Sequence, residues 1–199
     1  RHSESRACFI GKMDDTANLQ SGLPVDLPLV ALPLAPPLPA LGWDHLLAAT
    51  PPLQNPVLAH VDAVCTIIYT SGTTGKPKGV VHTYRSMAWG VSSATRRVRM
   101  DARDRYISYL PLAHVAERML IEQASLRYGG QVFFAESLDT FVQDLQRARP
   151  TIFFSVPRLW VKFQHGVHTR LPAQKLQLLM ALPLIGGLVR RKILKGLGL

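Results

Sequence analysis

Residues 62–199 predict an α/β fold, with a mainly parallel sheet and flanking helices. Three observations carry that prediction. Short β-branched and aromatic runs recur at Val64–Tyr69, Tyr106–Tyr109, Gln131–Phe134 and Thr151–Ser155. Longer segments of helical periodicity lie between the later runs, and turn residues such as Gly129-Gly130 and Pro150 punctuate them.

Residues 1–61 read as an irregular lead-in with one short strand, Ala7 to Gly11, ending at a turn near Asp14-Asp15. Nine of the 15 prolines fall in residues 23–56, which favours an extended wrap over helix. A short helix is expected near Asp44, covering Leu46, Leu47 and Ala48. Val64–Tyr69 is an unbroken apolar run that reads as a buried strand, with Cys65 as a small hydrophobe inside it. Lys78–His82 reads as a second short strand. Thr83 is the expected cap of a helix over Tyr84–Arg97, followed by strand Tyr106–Tyr109 and the loop Leu110–His114. A helix over Val115–Arg127 is stopped by Gly129-Gly130, and strand Gln131–Phe134 leads to a helix over Leu138–Arg147 with Ser137 as cap. Strand Thr151–Ser155 follows; Pro157 opens a helix through Phe163, and an apolar and basic helical region fills Gln174–Lys195. Trp89, Phe133, Phe153, Phe154 and Trp160 are expected in the core.

A chain of 199 residues with 47% hydrophobic and 18% charged side chains is globular rather than disordered. Its net charge of +10 is unevenly placed. Residues 145–199 hold 10 basic and no acidic side chains, so all the imbalance lies there. That points either to an anionic partner or to acidic neighbours elsewhere in a longer protein. Cys8 and Cys65 make no disulfide framework, which fits a reducing, cytoplasmic setting. No cationic leader with an apolar core opens the chain, and prolines break both apolar stretches, Leu27–Leu41 and Leu176–Val189. The expected location is cytoplasmic, with peripheral contact at a membrane.

The chemistry concentrates in Thr70-Ser71-Gly72-Thr73-Thr74-Gly75-Lys76-Pro77-Lys78-Gly79, where backbone donors, hydroxyls and two ammonium groups meet almost no apolar bulk. Such a run can form an anion-binding concavity, and Thr70, Ser71, Gly72, Thr73, Thr74, Gly75 and Lys76 are the candidate phosphate ligands. It is not the P-loop of ordinary NTPases. Pro77 stands where that loop needs a hydroxyl for magnesium, and strand follows where helix should. No His/Cys/Asp/Glu spacing has the form of a structural metal site.

The loop resembles the phosphate-binding signature of the adenylate-forming superfamily, which includes the acyl-CoA synthetases. Tyr109-Leu110-Pro111-Leu112-Ala113-His114-Val115-Ala116-Glu117-Arg118 is similar to that superfamily's fourth core motif in its long-chain acyl-CoA synthetase form. The resemblance implies that His114 lines and gates an acyl pocket; it assigns no catalytic residue. Weaker likeness extends to Phe9–Asp14, Leu27–Pro37 and Thr151–Arg158. Read from their own positions, Glu117 suits the positive end of a helix dipole and Arg118 a local ion pair. Tyr84 and Arg85 stand where many relatives have His and Asn.

The implied reaction joins a fatty acid to ATP as an acyl-adenylate, releases pyrophosphate, and then forms a thiolester with CoA. ATP, Mg2+ and CoA are therefore the implied cofactors, and fatty acid, ATP and CoA the small-molecule partners. The family's Tyr-Gly-x-Thr-Glu motif does not occur; Tyr128-Gly129-Gly130-Gln131 lacks its Thr and Glu. The expectation is a piece of the large N-terminal domain, inactive by itself, with the C-terminal domain absent. Two alternatives stay open: an adenylate-forming enzyme for another carboxylate, and a non-catalytic nucleotide or anionic-membrane binding module resting on Arg190, Arg191, Lys192 and Lys195. No reading-helix or stacking motif supports nucleic-acid binding.

Overall fold

The computed structural model describes residues 3–13, 17–71, 75–96 and 98–199. They fall into two compact units, residues 1–60 and 61–199.

In the first unit, β1 (Cys8–Ile10), β2 (Leu29–Ala31) and β3 (Leu41–Gly42) form a parallel sheet in that order. Helix α1 (Ala17–Gly22) lies between the first two strands in sequence, and α2 (Trp43–Ala49) follows the third. The proline-rich stretch thus contributes two more short strands to the expected one. Prolines flank these strands, and the Pro28 carbonyl accepts the N–H of Cys8 at 2.9 Å. Ile10 and Val30 are buried, while Phe9 meets Trp43 edge to face at 6.3 Å between ring centroids. The turn expected near Asp14-Asp15 lies outside the described residues.

The second unit opens with an antiparallel hairpin of β4 (Val64–Thr70) and β5 (Lys78–Thr83), with a register shift between Val64 and Thr66. It is not the buried strand the sequence predicts. The two strands pair with each other alone in their sheet, so only Ile68 is buried, Cys65 is half-buried and Val64 is 58% exposed.

Helix α3 (Tyr84–Thr95) follows β5 directly. Thr83 caps it as expected, its side chain accepting the Ser86 N–H while the Ser86 hydroxyl oxygen accepts the Thr83 N–H at 3.0 Å. Next, β6 (Arg105–Ser108) and β7 (Gln131–Phe134) pair in parallel across a helical crossover. That crossover, expected as one helix, is three consecutive segments: α4 (Val115–Glu117), a π-helical stretch (Arg118–Gln123) and α5 (Ala124–Tyr128). Gly129, at φ +79°, ends it in the left-handed conformation.

Helix α6 (Phe141–Ala148) begins three residues later than expected. Ser137 does not cap it. Ser137 and Thr140 instead exchange side-chain to N–H bonds of 3.2 Å in a local turn, which holds the chain out of the helix until Phe141. Residues 151–155 are not a strand either. The N–H groups of Thr151 and Ile152 both converge on the Arg105 carbonyl, so pairing with β6 stops after its first residue. Helix α7 (Pro157–Arg170) takes Pro157 in its first turn, and Leu182-Pro183-Leu184 breaks the expected final helix into α8 (Ala173–Ala181) and α9 (Ile185–Leu197).

The core of this unit is Ile107, Phe141, Leu145, Ala148 and Phe163, with Phe133 and Phe153 packed against it as expected. Trp89, Phe154 and Trp160 are exposed instead. Trp160 makes T-shaped contacts with Phe153 and Phe163 yet stays 44% exposed.

Parallel pairing prevails, as the sequence predicts, but it is divided between two small sheets. Its consequence is that β6 ends at the loop carrying His114, while the β4–β5 hairpin carries the phosphate-loop candidates.

Candidate functional site

Thr70 is the last residue of β4 and pairs with Lys78 at the mouth of the hairpin. The chain leaves the ladder at Ser71 and returns through Gly75, Lys76 and Pro77, all exposed. Gly75 has φ +76°, open to glycine without the clash a Cβ brings. Gly72, Thr73 and Thr74 lie outside the described residues. Gly79 carries the returning strand close to its partner: a Cβ there would meet Ile67 Cγ2 at 2.9 Å and the Tyr69 ring at 3.3 Å.

The hairpin is tied at its other end. Tyr84 N–H donates to the Ala63 carbonyl and Arg85 N–H to that of Val61, while the Arg85 guanidinium holds Asp62 through bonds of 2.6 and 3.0 Å. That pairing lowers the Asp62 pKa, led by its hydrogen bond to Arg85. Arg85 therefore serves to fasten the start of α3 to the entry of β4.

Ser108 ends β6, and the chain continues through Leu110-Pro111-Leu112-Ala113 to His114. His114 N–H donates to the Pro111 carbonyl at 2.8 Å, and the His114 carbonyl accepts the Arg118 N–H at 3.2 Å. The imidazole itself is exposed at the head of α4 and makes no side-chain cap.

Glu117 stands in the first helical turn as expected, but the sequence reading missed its burial and its bonds. It is 2% exposed, and its carboxylate accepts the Ser108 hydroxyl at 2.5 Å and the Leu110 N–H at 3.3 Å. Burial raises its pKa, against the lowering effect of the hydrogen bonds from Ser108 and the backbone and of nearby His114. The carboxylate thus clamps the root of the His114 loop to the end of β6. The missed signal was spacing: Glu117, Ile121 and Ala124 are all buried, at helical intervals along one face. Arg118 pairs locally as expected, at 3.8 Å from Glu122, and also donates to the Leu112 carbonyl at 3.0 Å.

His114 and the phosphate-loop candidates sit at the ends of separate sheets. Two cavities of about 460 and 550 Å³ lie elsewhere, both lined by Arg105, Gln146 and Arg149. Among the described residues no group of three or more His, Cys, Asp or Glu side chains is gathered to hold a metal ion. Tyr128-Gly129-Gly130 shapes the turn into β7, because the helix ends at Gly129 and Gly130 lies against the Tyr106 ring.

The model of the family described as AMP-binding enzyme matches residues 1–191. The chain is 40% identical over 107 residues to a long-chain-fatty-acid–CoA ligase, ACSBG2, of Xenopus laevis, covering 50% of this chain and 14% of that protein. It is 36% identical over 137 residues to long chain acyl-CoA synthetase 4 of Arabidopsis thaliana, covering 65% of this chain and 20% of that protein. The chain thus spans about a fifth or less of these relatives. Its fold is similar to a benzoate CoA ligase from Burkholderia xenovorans LB400, with a TM-score of 0.63 and 23% identity over 80% of this chain and 32% of that one. It is also similar to the adenylation domain of a carboxylate reductase from Mycobacterium chelonae, with a TM-score of 0.55 and 25% identity over 77% of this chain and 24% of that one. With a family match across almost its whole length, the chain belongs to the AMP-binding enzymes.

Proposed function

We propose that this chain is part of the large N-terminal domain of a long-chain fatty-acid–CoA ligase, in which residues 70–76 hold the β and γ phosphates of ATP. The observation that carries the reading is the hairpin mouth: Thr70, Ser71, Gly75 and Lys76 are presented to solvent between paired strands, with Lys78 beside them. The names of the curated relatives support the choice of a long-chain acid. The fatty carboxylate oxygen attacks the α-phosphorus of ATP, the bond to the bridging oxygen breaks, and pyrophosphate leaves. The CoA thiol then displaces AMP from the acyl carbon and gives up its proton. Lys76 and the loop N–H groups offset charge on the leaving pyrophosphate. His114 borders the acyl pocket at the end of β6, held there by the Glu117 clamp.

The test is palmitate-dependent pyrophosphate release from ATP with magnesium, on the 199-residue chain and on the protein extended to its full reading frame. Activity is expected only in the extended protein. Lys76→Ala in that protein should lower kcat by about 10- to 100-fold, the worth of a charge-assisted hydrogen bond. Activity of the short chain would overturn the expectation that it is inactive alone. An extended protein that ignores palmitate but turns over with benzoate would replace the long-chain reading by the other-carboxylate one.

A further inference from the structure

Residues 176–189 carry no charged side chain, and the structure makes them the tip of a helical hairpin. Leu178, Met180, Leu182, Leu184, Ile185 and Leu188 are all exposed around that tip. Cations stand on both sides of it: Lys175 before, and Arg190, Arg191 and Lys192 after, every one exposed.

The reversal itself is strained. Leu184 has φ 67° and ψ −45°, and the Ile185 N–H donates to the Pro183 carbonyl at 2.8 Å, which is a tight γ-turn centred on a leucine. Leu184 as a whole is 88% exposed, so little packing offsets the strain. Gly186 lets α9 start against the end of α8, since a Cβ there would lie 2.5 Å from the Met180 carbonyl oxygen.

We propose that this tip docks on the surface of an anionic phospholipid bilayer. The leucines enter the acyl boundary, and Lys175, Arg190, Arg191 and Lys192 meet the phosphate headgroups. Charge selects this occupant. Residues 145–199 hold 10 basic and no acidic side chains, so pairing this tip with the same tip of a second copy would set cations against cations, whereas an anionic surface complements them. The contact is peripheral: among the described residues no helix is long and apolar enough to cross a membrane. Docking by this tip does not depend on the ligase reading.

The experiment uses the full-reading-frame protein with vesicles of phosphatidylcholine alone or mixed with phosphatidylglycerol. Leu184→Trp should shift its emission to the blue, and be quenched by brominated lipid, only on the anionic vesicles. The triple variant R190E/R191E/K192E should partition at least a hundredfold more weakly, since each cation near such a surface is worth about fivefold. Leu184→Glu should also lose binding while keeping its far-UV helicity and pyrophosphate release. Equal partition on both kinds of vesicle would overturn the proposal. So would an L184W emission already blue without lipid and unquenched with it, which would show the tip covered by protein.

Discussion

Glu117 and Asp144 are both nearly buried carboxylates, yet they should respond to pH in opposite senses. Burial holds the Glu117 pKa above its ordinary value of 4.5, so the folded chain keeps a proton that the unfolded chain has released. Its contribution to stability is present below that ordinary value and is lost as pH rises through the folded one. Glu117→Gln removes this titration and leaves the Ser108 or Leu110 donor poorly matched, at a cost of about 1–3 kcal/mol. Thermal melts from pH 4 to 8 should show the variant less stable than wild type at the acid end, with the gap narrowing upward. A gap that stays constant would refute the assignment. Asp144 runs the other way: the Glu136 N–H and then the Thr140 hydroxyl lower its pKa, against burial, with a smaller contribution from Arg147. Its contribution is present above the ordinary 3.8 and disappears as pH falls through the folded value. Asp144→Asn should therefore flatten the acid limb of melts carried below pH 3.8. The difference between the two residues was not legible from residue type, because it depends on which donors the fold delivers. That Glu117 faces inward was legible from its spacing to Ile121 and Ala124.

Elements bounded by local chemistry were the easiest to read. Thr83 announces α3 because its hydroxyl and the Ser86 side chain satisfy donors within one turn, and no distant part of the chain is needed. Thr83→Ala should cost about 1 kcal/mol in chemical denaturation, and Thr83→Ser should restore most of it. Equal stability of all three proteins would mean that the box contributes nothing in context. Elements fixed by partners were harder. Nothing in Thr151–Ser155 says that Arg105 offers a single carbonyl to its first two N–H groups, and the apolar run Val64–Tyr69 cannot reveal that β4 pairs with β5 alone. The π-helical stretch was equally hidden. It places Met119 against Gly90 of α3, where any Cβ would collide with the Met119 methyl, so its geometry follows from packing between two helices.

At the scale of the whole molecule, the core cluster around Leu145 belongs entirely to residues 61–199. Leu145 is fully buried there among Ile107, Phe141, Ala148 and Phe163, contributed by β6, α6 and α7. Those elements come from segments far apart in sequence, so the cluster forms only when the unit folds as one body. Leu145→Ala removes a buried isopropyl group and leaves a void that close-packed rings cannot fill, which costs about 2–5 kcal/mol. The loss should be cooperative: amide exchange should quicken together in β6, β7, α6 and α7. The first unit has its own sheet, in which Ile10 and Val30 are buried, and β1 and β2 should keep their exchange rates in the variant. Exchange that quickened equally in β1 and β2 would show instead that the two units share one folding transition. Exchange that quickened in α6 alone would show that the ring cluster does not bind the second unit together.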